Sequence, residues 1–196
     1  MQVLIGLSRL FALVNTSALT LGRWLGALCI LFMVIFILAQ VFFRYVIGTA
    51  LPWPEEASRF LMLWSAGLMI GTAYRRGGFV AIELLVVLLP RLLRHLLTLL
   101  LFSVALIILW KAWQIGLREV TGLAGRFGTD SLSVPISWDL STWKKVPKSW
   151  QMTSMLVGIG ALVSVTLELM LREVISLLGR GEDLPAIADQ VVLGAE

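Results

Sequence analysis

Long apolar runs alternate with short charged stretches along this chain, and the lengths of the runs sort its segments. Residues 24–43 hold 18 apolar positions in 20, interrupted only by Gly26 and Gln40. At 1.5 Å per helical residue this run matches a hydrocarbon core about 30 Å thick. Between Arg59 and Arg75 only 15 uncharged residues remain, about 22 Å of helix, so a crossing there draws charged residues into its ends and is expected over 55–75. The run 96–110, bounded by His95 and Lys111, is equally short, but a lysine stem can snorkel and the helix is expected over 95–116. A fourth run lies between Lys148 and Glu168, with a span expected over 149–170. Trp24, Trp53, Trp110, Trp113, Trp143 and Trp150 fall at or near these ends, where indole rings favour the headgroup region. The expectation is an all-α integral membrane protein with four transmembrane helices.

Two further apolar segments read as surface helices. Gln2, Arg9 and Thr16 recur every seven residues with Ser8 and Asn15 beside them, while Leu4, Leu7, Phe11 and Val14 share the opposite face. This is the pattern of an interfacial amphipathic helix over 1–22. A cleaved signal peptide is the competing reading; against it, the basic residue comes only at Arg9 and no small-x-small site precedes Trp24. Residues 79–89 contain Glu83 and end at Pro90, which makes them too short to span and suits a shallow helix between spans two and three.

Composition agrees: 59% of the 196 residues are hydrophobic and 14% charged, outside the range of soluble domains. The net charge of +4 comes from basic residues that flank the runs, so it reads as anchoring rather than nucleic-acid binding. With four spans each membrane side carries eight Lys and Arg. The tie breaks toward termini inside, because the loop between spans two and three is short and holds four arginines. One cysteine, Cys29, and one histidine, His95, exclude an intrachain disulfide and paired haem ligation within this chain. Neither a nucleotide-binding P-loop nor an H-E-x-x-H or G-x-S-x-G motif occurs, so no cofactor and no enzymatic activity are expected. The small and hydroxyl residues of the third and fourth runs, Thr98, Ser103, Ser154, Gly158, Gly160 and Ser164, read as helix packing or as a substrate path.

The stretch from Phe43 to Glu83 concentrates the chemistry. Pro52 and Pro54 end one helix and suit the first turn of another. Glu55 and Glu56 then lie where the helix dipole favours carboxylates, with Arg59 four and three residues on. Two readings stay open: a capped, salt-bridged helix end at the surface, or an ion-paired group of Arg44, Glu55, Glu56 and Arg59 drawn inside the membrane boundary.

These residues carry a resemblance. An arginine after span one (Arg44), a P-W-x-E-E element (Pro52, Trp53, Glu55, Glu56), a span with Trp64, Gly67 and Gly71, and then Arg75-Arg76-Gly77-Gly78 together resemble the small membrane subunit of the tripartite ATP-independent periplasmic (TRAP) transporters, the DctQ-like family. Phe79 stands where that family usually has a histidine, and Glu83 where an aspartate is common. The resemblance implies a bacterial inner-membrane protein with both termini, including the tail 173–196, in the cytoplasm. Its implied partners are a large membrane subunit carrying substrate and sodium and a soluble periplasmic binding protein that delivers an organic acid. Arg44, Trp53, Glu55, Glu56, Arg59 and Trp64 become candidates for a subunit interface or structural ion pairs. The loop 117–148 is then periplasmic, and its Trp138, Trp143, Lys144, Lys145 and Lys148 suit either anionic lipid or contact with a protein partner. An independent small channel or exporter acting as a homo-oligomer is the alternative of a different class.

Overall fold

The computed structural model describes residues 2–49, 51–77, 90–135 and 143–178. Helix α1 (Gln2–Phe42) passes into a π-helical turn, Phe43–Ile47, that ends at Gly48 with φ +78°. Helix α2 is Trp53–Arg75 and α3 is Arg91–Thr121. A four-residue helix α4 (Leu123–Arg126) leads into strands β1 (Gly128–Pro135) and β2 (Trp143–Pro147), and α5 (Ser149–Leu177) follows. Among the described residues three helices are long and apolar enough to cross a membrane: Gly6–Ile47, Leu92–Thr121 and Ser149–Leu177. The expected surface segment 79–89 lies outside the described residues, as do 179–196.

The N-terminal segment and the first span, expected as two elements, are one continuous helix. No proline occurs before Pro52, and nothing in the local sequence forces a break near Arg23. Part of the polar face of 1–22 turns toward protein. Ser8 and Asn15 are buried with Ala12 and Leu19, whereas Leu7, Leu10, Leu13 and Val14 are exposed. The Ser8 and Asn15 edge of the expected stripe therefore packs against protein, while Arg9 and Thr16 remain exposed.

The helices alternate in direction. Phe36 of α1 meets Trp53 of α2 edge-on, ring centroids 5.4 Å apart, and twenty residues earlier Thr16 meets Arg75 at the other end of α2. These two contacts bracket a layer about 30 Å thick, beyond which α1 projects at both ends. α2 runs parallel to α5 and close to it: a Cβ on Gly67 would fall on the Ser154 carbonyl, and one on Gly71 would approach Ala161 Cβ to 2.9 Å. This is small-residue packing of the kind that holds helices together without a hydrophobic driving force between them. α3 lies against α5 through Gly116 beside Leu156, Gly160 beside Trp113, and His95 beside Glu173. The small residues of span four thus serve helix contacts.

The connection 117–148 is more ordered than a plain loop. α3 continues to Thr121, and β1 pairs antiparallel with β2 in the register Ser133 to Lys145, Val134 to Lys144 and Pro135 to Trp143. Between the Gly128–Pro147 pair and the Ser133–Lys145 pair, five steps on β1 oppose two on β2, so residues 129–132 bulge out of the ladder. The membrane part is all-α, and this ribbon caps one end of it.

Replacing Gly67 by Leu should destabilise the α2–α5 contact by at least about 1–3 kcal/mol through overpacking, read as a lower thermal midpoint in detergent. Gly6→Ala, inside α1 and where an added Cβ meets nothing within 4 Å, should not lower the midpoint, since Ala is the better helix former.

Candidate functional site

Two polar clusters lie at opposite ends of the helices. The first is built around Glu168, which is 0% exposed. Its Oε1 accepts from Arg75 Nη2 at 2.7 Å and from Arg172 Nε at 3.1 Å, and its Oε2 accepts from Asn15 Nδ2 at 2.7 Å. Asn15 also accepts from Ser164 Oγ at 2.6 Å, and Arg75 donates to Thr16 Oγ1 at 2.8 Å. One carboxylate therefore joins α1, α2 and α5. Two guanidiniums on a buried carboxylate compensate its charge, and the amide of Asn15 fills the second oxygen, so the desolvation of Glu168 is met by charge-assisted bonds. A second tie at this end links His95 Nδ1 to Glu173 Oε1 at 2.7 Å, between α3 and α5.

The second cluster is at the ribbon end. Glu56, in the first turn of α2, accepts backbone N–H bonds from Asp130 (3.0 Å), Ser131 (2.6 Å) and Leu132 (2.9 Å), and also the Ser131 hydroxyl at 2.6 Å. The donors are the backbone groups that the β1 bulge releases from the ladder. Burial pushes the Glu56 carboxyl up, but the bonds from Ser131, Asp130 and Leu132 outweigh it and hold the group below its ordinary value. Thr129, fully buried, closes the bulge by donating to the Leu132 carbonyl at 2.8 Å.

The structure separates the four charged residues expected as one group. Glu55 pairs with Arg59 one turn on, both largely exposed, while Glu56 is committed to β1. Arg44 sits in the π-helical turn with its guanidinium carbon 5.9 Å from the Tyr45 ring centroid. The Pro-Trp element works as a helix start: Pro54 is buried at the head of α2 and Trp53 packs on Phe36. Trp64 packs against Phe60, centroids 6.2 Å apart, and its buried Nε1 has no hydrogen-bond partner among the described residues. Of the loop candidates, Trp138 lies outside the described residues, Trp143 opens β2, Lys144 and Lys145 are exposed on β2, and half-buried Lys148 heads α5. The Glu168 cluster was not anticipated as a site. Its signals were present in the polar stripe through Asn15 and in the four-residue spacing of Glu168 and Arg172. Among the described residues no three His, Cys, Asp or Glu side chains gather as a metal ion requires.

A family model described as "Tripartite ATP-independent periplasmic transporters, DctQ component" matches residues 33–176, the part of the chain that includes both clusters except Asn15 and Thr16. No curated protein and no solved structure matches the chain.

Glu168→Ala should destabilise the protein by about 3–5 kcal/mol, because it leaves two guanidiniums buried without their anion. Glu55→Gln, which breaks an exposed pair, should change stability by no more than about 1 kcal/mol; thermal unfolding of both variants in one detergent checks the contrast. Because the Glu56 carboxyl is depressed, its contribution is present above the ordinary carboxylate range and lost only as pH falls through its lower folded value. Amide exchange at Asp130–Leu132, corrected for intrinsic rate, should stay slow near pH 5 and speed up at more acidic pH. Glu56→Gln should speed it about tenfold at neutral pH, the worth of a charge-assisted bond.

Proposed function

The chain belongs to the DctQ component family of the tripartite ATP-independent periplasmic transporters, and from that premise we propose that it is the small permease subunit that scaffolds a large membrane subunit during sodium-coupled, binding-protein-dependent uptake of an organic acid. The observation that carries this reading is the Glu168 cluster. A helix that must slide or tilt to move a substrate is poorly served by a buried carboxylate bonded to three helices at once, whereas a fixed support is well served. In this reading sodium and substrate belong to the large subunit, and this chain holds no cofactor.

In the same reading α2 is the fourth crossing. Its charged first turn stays outside the hydrocarbon with Glu56, its uncharged run 60–74 crosses, and Arg75 ends the crossing where Glu168 supplies a counter-charge. Both termini are cytoplasmic and the ribbon is periplasmic. There the Glu56 clamp holds β1, and with it the basic residues Lys144 and Lys145, in a defined place from which the binding protein can be met.

Purification of the tagged chain from native membranes in mild detergent should bring down a multi-spanning partner, and liposomes containing the chain alone should show no organic-acid flux. Flux without a partner would instead make it an independent carrier. Deleting 136–145 should leave the membrane complex assembled and lower uptake when the binding protein is limiting; equal uptake at every concentration of that protein would remove the ribbon from docking.

A further inference from the structure

A cleft of about 490 Å³ lies between the first turn of α2, the bulge of β1 and the first turn of α5. Pro52, Glu55, Arg59 and Leu63 line it from the α2 side, and Asp130 and Lys148 from the β1 and α5 sides. The charges divide unequally. Glu55 and Arg59 neutralise each other, and Glu56 is occupied by β1 backbone. The side chains of Asp130 and Lys148 have no partner among the described residues, neither each other nor a third group. The cleft thus presents one unpaired anion and one unpaired cation.

Its position adds a second constraint. The α2 first turn lies about 28 Å of helix from Arg75, so the cleft is at the far boundary of the layer that the Glu168 cluster bounds. Trp53, 39% exposed, and Trp150, 59% exposed, adjoin the lining residues Pro52 and Gln151 along the chain, and indoles favour the headgroup level. Leu63, 43% exposed, continues the α2 wall two turns toward the layer's interior. A polar rim carrying both signs of charge therefore runs into an apolar flank that faces the hydrocarbon.

We propose that this cleft binds the headgroup of a zwitterionic phospholipid, phosphatidylethanolamine. Its ammonium donates to Asp130 and its phosphate accepts from Lys148, while the first acyl carbons lie along Leu63. A primary ammonium has the N–H groups that a carboxylate can accept, and a trimethylammonium has none. A glycerol headgroup supplies the phosphate but leaves Asp130 without a cation. A free zwitterion gains nothing from the Leu63 flank, which favours the lipid as its source.

Native mass spectrometry of the full chain, from micelles doped with equal amounts of phosphatidylethanolamine, phosphatidylcholine and phosphatidylglycerol, tests the assignment. Phosphatidylethanolamine should be retained over the other two. The double variant Asp130→Asn, Lys148→Gln should lose that preference by about tenfold, as expected for two boundary charge contacts. Lys144→Gln, Lys145→Gln, outside the cleft, should keep it, and circular dichroism identifies any variant that has not folded. If the Asp130, Lys148 pair gives a misfolded chain, Lys148→Gln alone provides the same reading. Equal retention of the three lipids, no retained lipid, or a preference untouched by the cleft variants would overturn the proposal. Binding of soluble phosphoethanolamine as tight as that of the lipid would overturn the lipid as the source.

Discussion

The rest of the structure depends on one carboxylate. Glu168 is fully buried, and a carboxylate in that position persists only if its lone pairs are filled by strong donors. Arg75 comes from the end of α2, Arg172 from the next turn of α5 and Asn15 from α1. Each donor fixes the height and rotation of its helix. The Gly67 and Gly71 contacts bring α2 close to α5, and the direction of α1 follows because Asn15 and Phe36 engage at opposite ends of the same neighbour group. Close packing sets the distance between helices, and the polar cluster sets their register.

Glu56 solves the same problem outside the helices with different partners. A short ribbon has little apolar surface to bury and is marginal alone. The bulge in β1 leaves three backbone N–H groups without ladder partners, and an acidic residue at the head of α2 takes all three. The ladder defect and the carboxylate complete each other. Glu55, one residue earlier, faces solvent and pairs only with Arg59. Adjacent, chemically equivalent carboxylates thus have unequal structural weight, because a 100° step around the helix separates them.

The sequence made the apolar helices legible because their signal is run length, which survives any arrangement of neighbours. The start of α2 was legible from Pro52, Pro54 and the two glutamates, since first-turn chemistry is local. What the sequence concealed was the direction in which polar groups face. The stripe through Ser8 and Asn15 has the period of a water-facing helix, but in a bilayer the outside is apolar and the polar stripe turns inward. Periodicity fixes that a stripe exists and leaves open which medium it meets. Glu168 and Arg75 looked like the limits of runs because their partners lie 93 residues apart in the chain. The ribbon was missed because the register slip that frees the β1 backbone has no compositional mark.

The overhang of α1 has a consequence at the membrane surface. The helical stretch Gly6–Ile47 is 42 residues, about 60 Å long, whereas its apolar run 24–43 matches a hydrocarbon core of about 30 Å. A tilt of 40°, the upper range for such helices, lengthens the path through the core only to about 39 Å. Roughly 20 Å of helix is left over, and the segments outside the run hold Arg9, Arg23 and Arg44 beside exposed Tyr45 and Val46. The overhang therefore reaches past the hydrocarbon into the headgroup layers, where arginines meet lipid phosphate and exposed aromatic side chains lie at the interface.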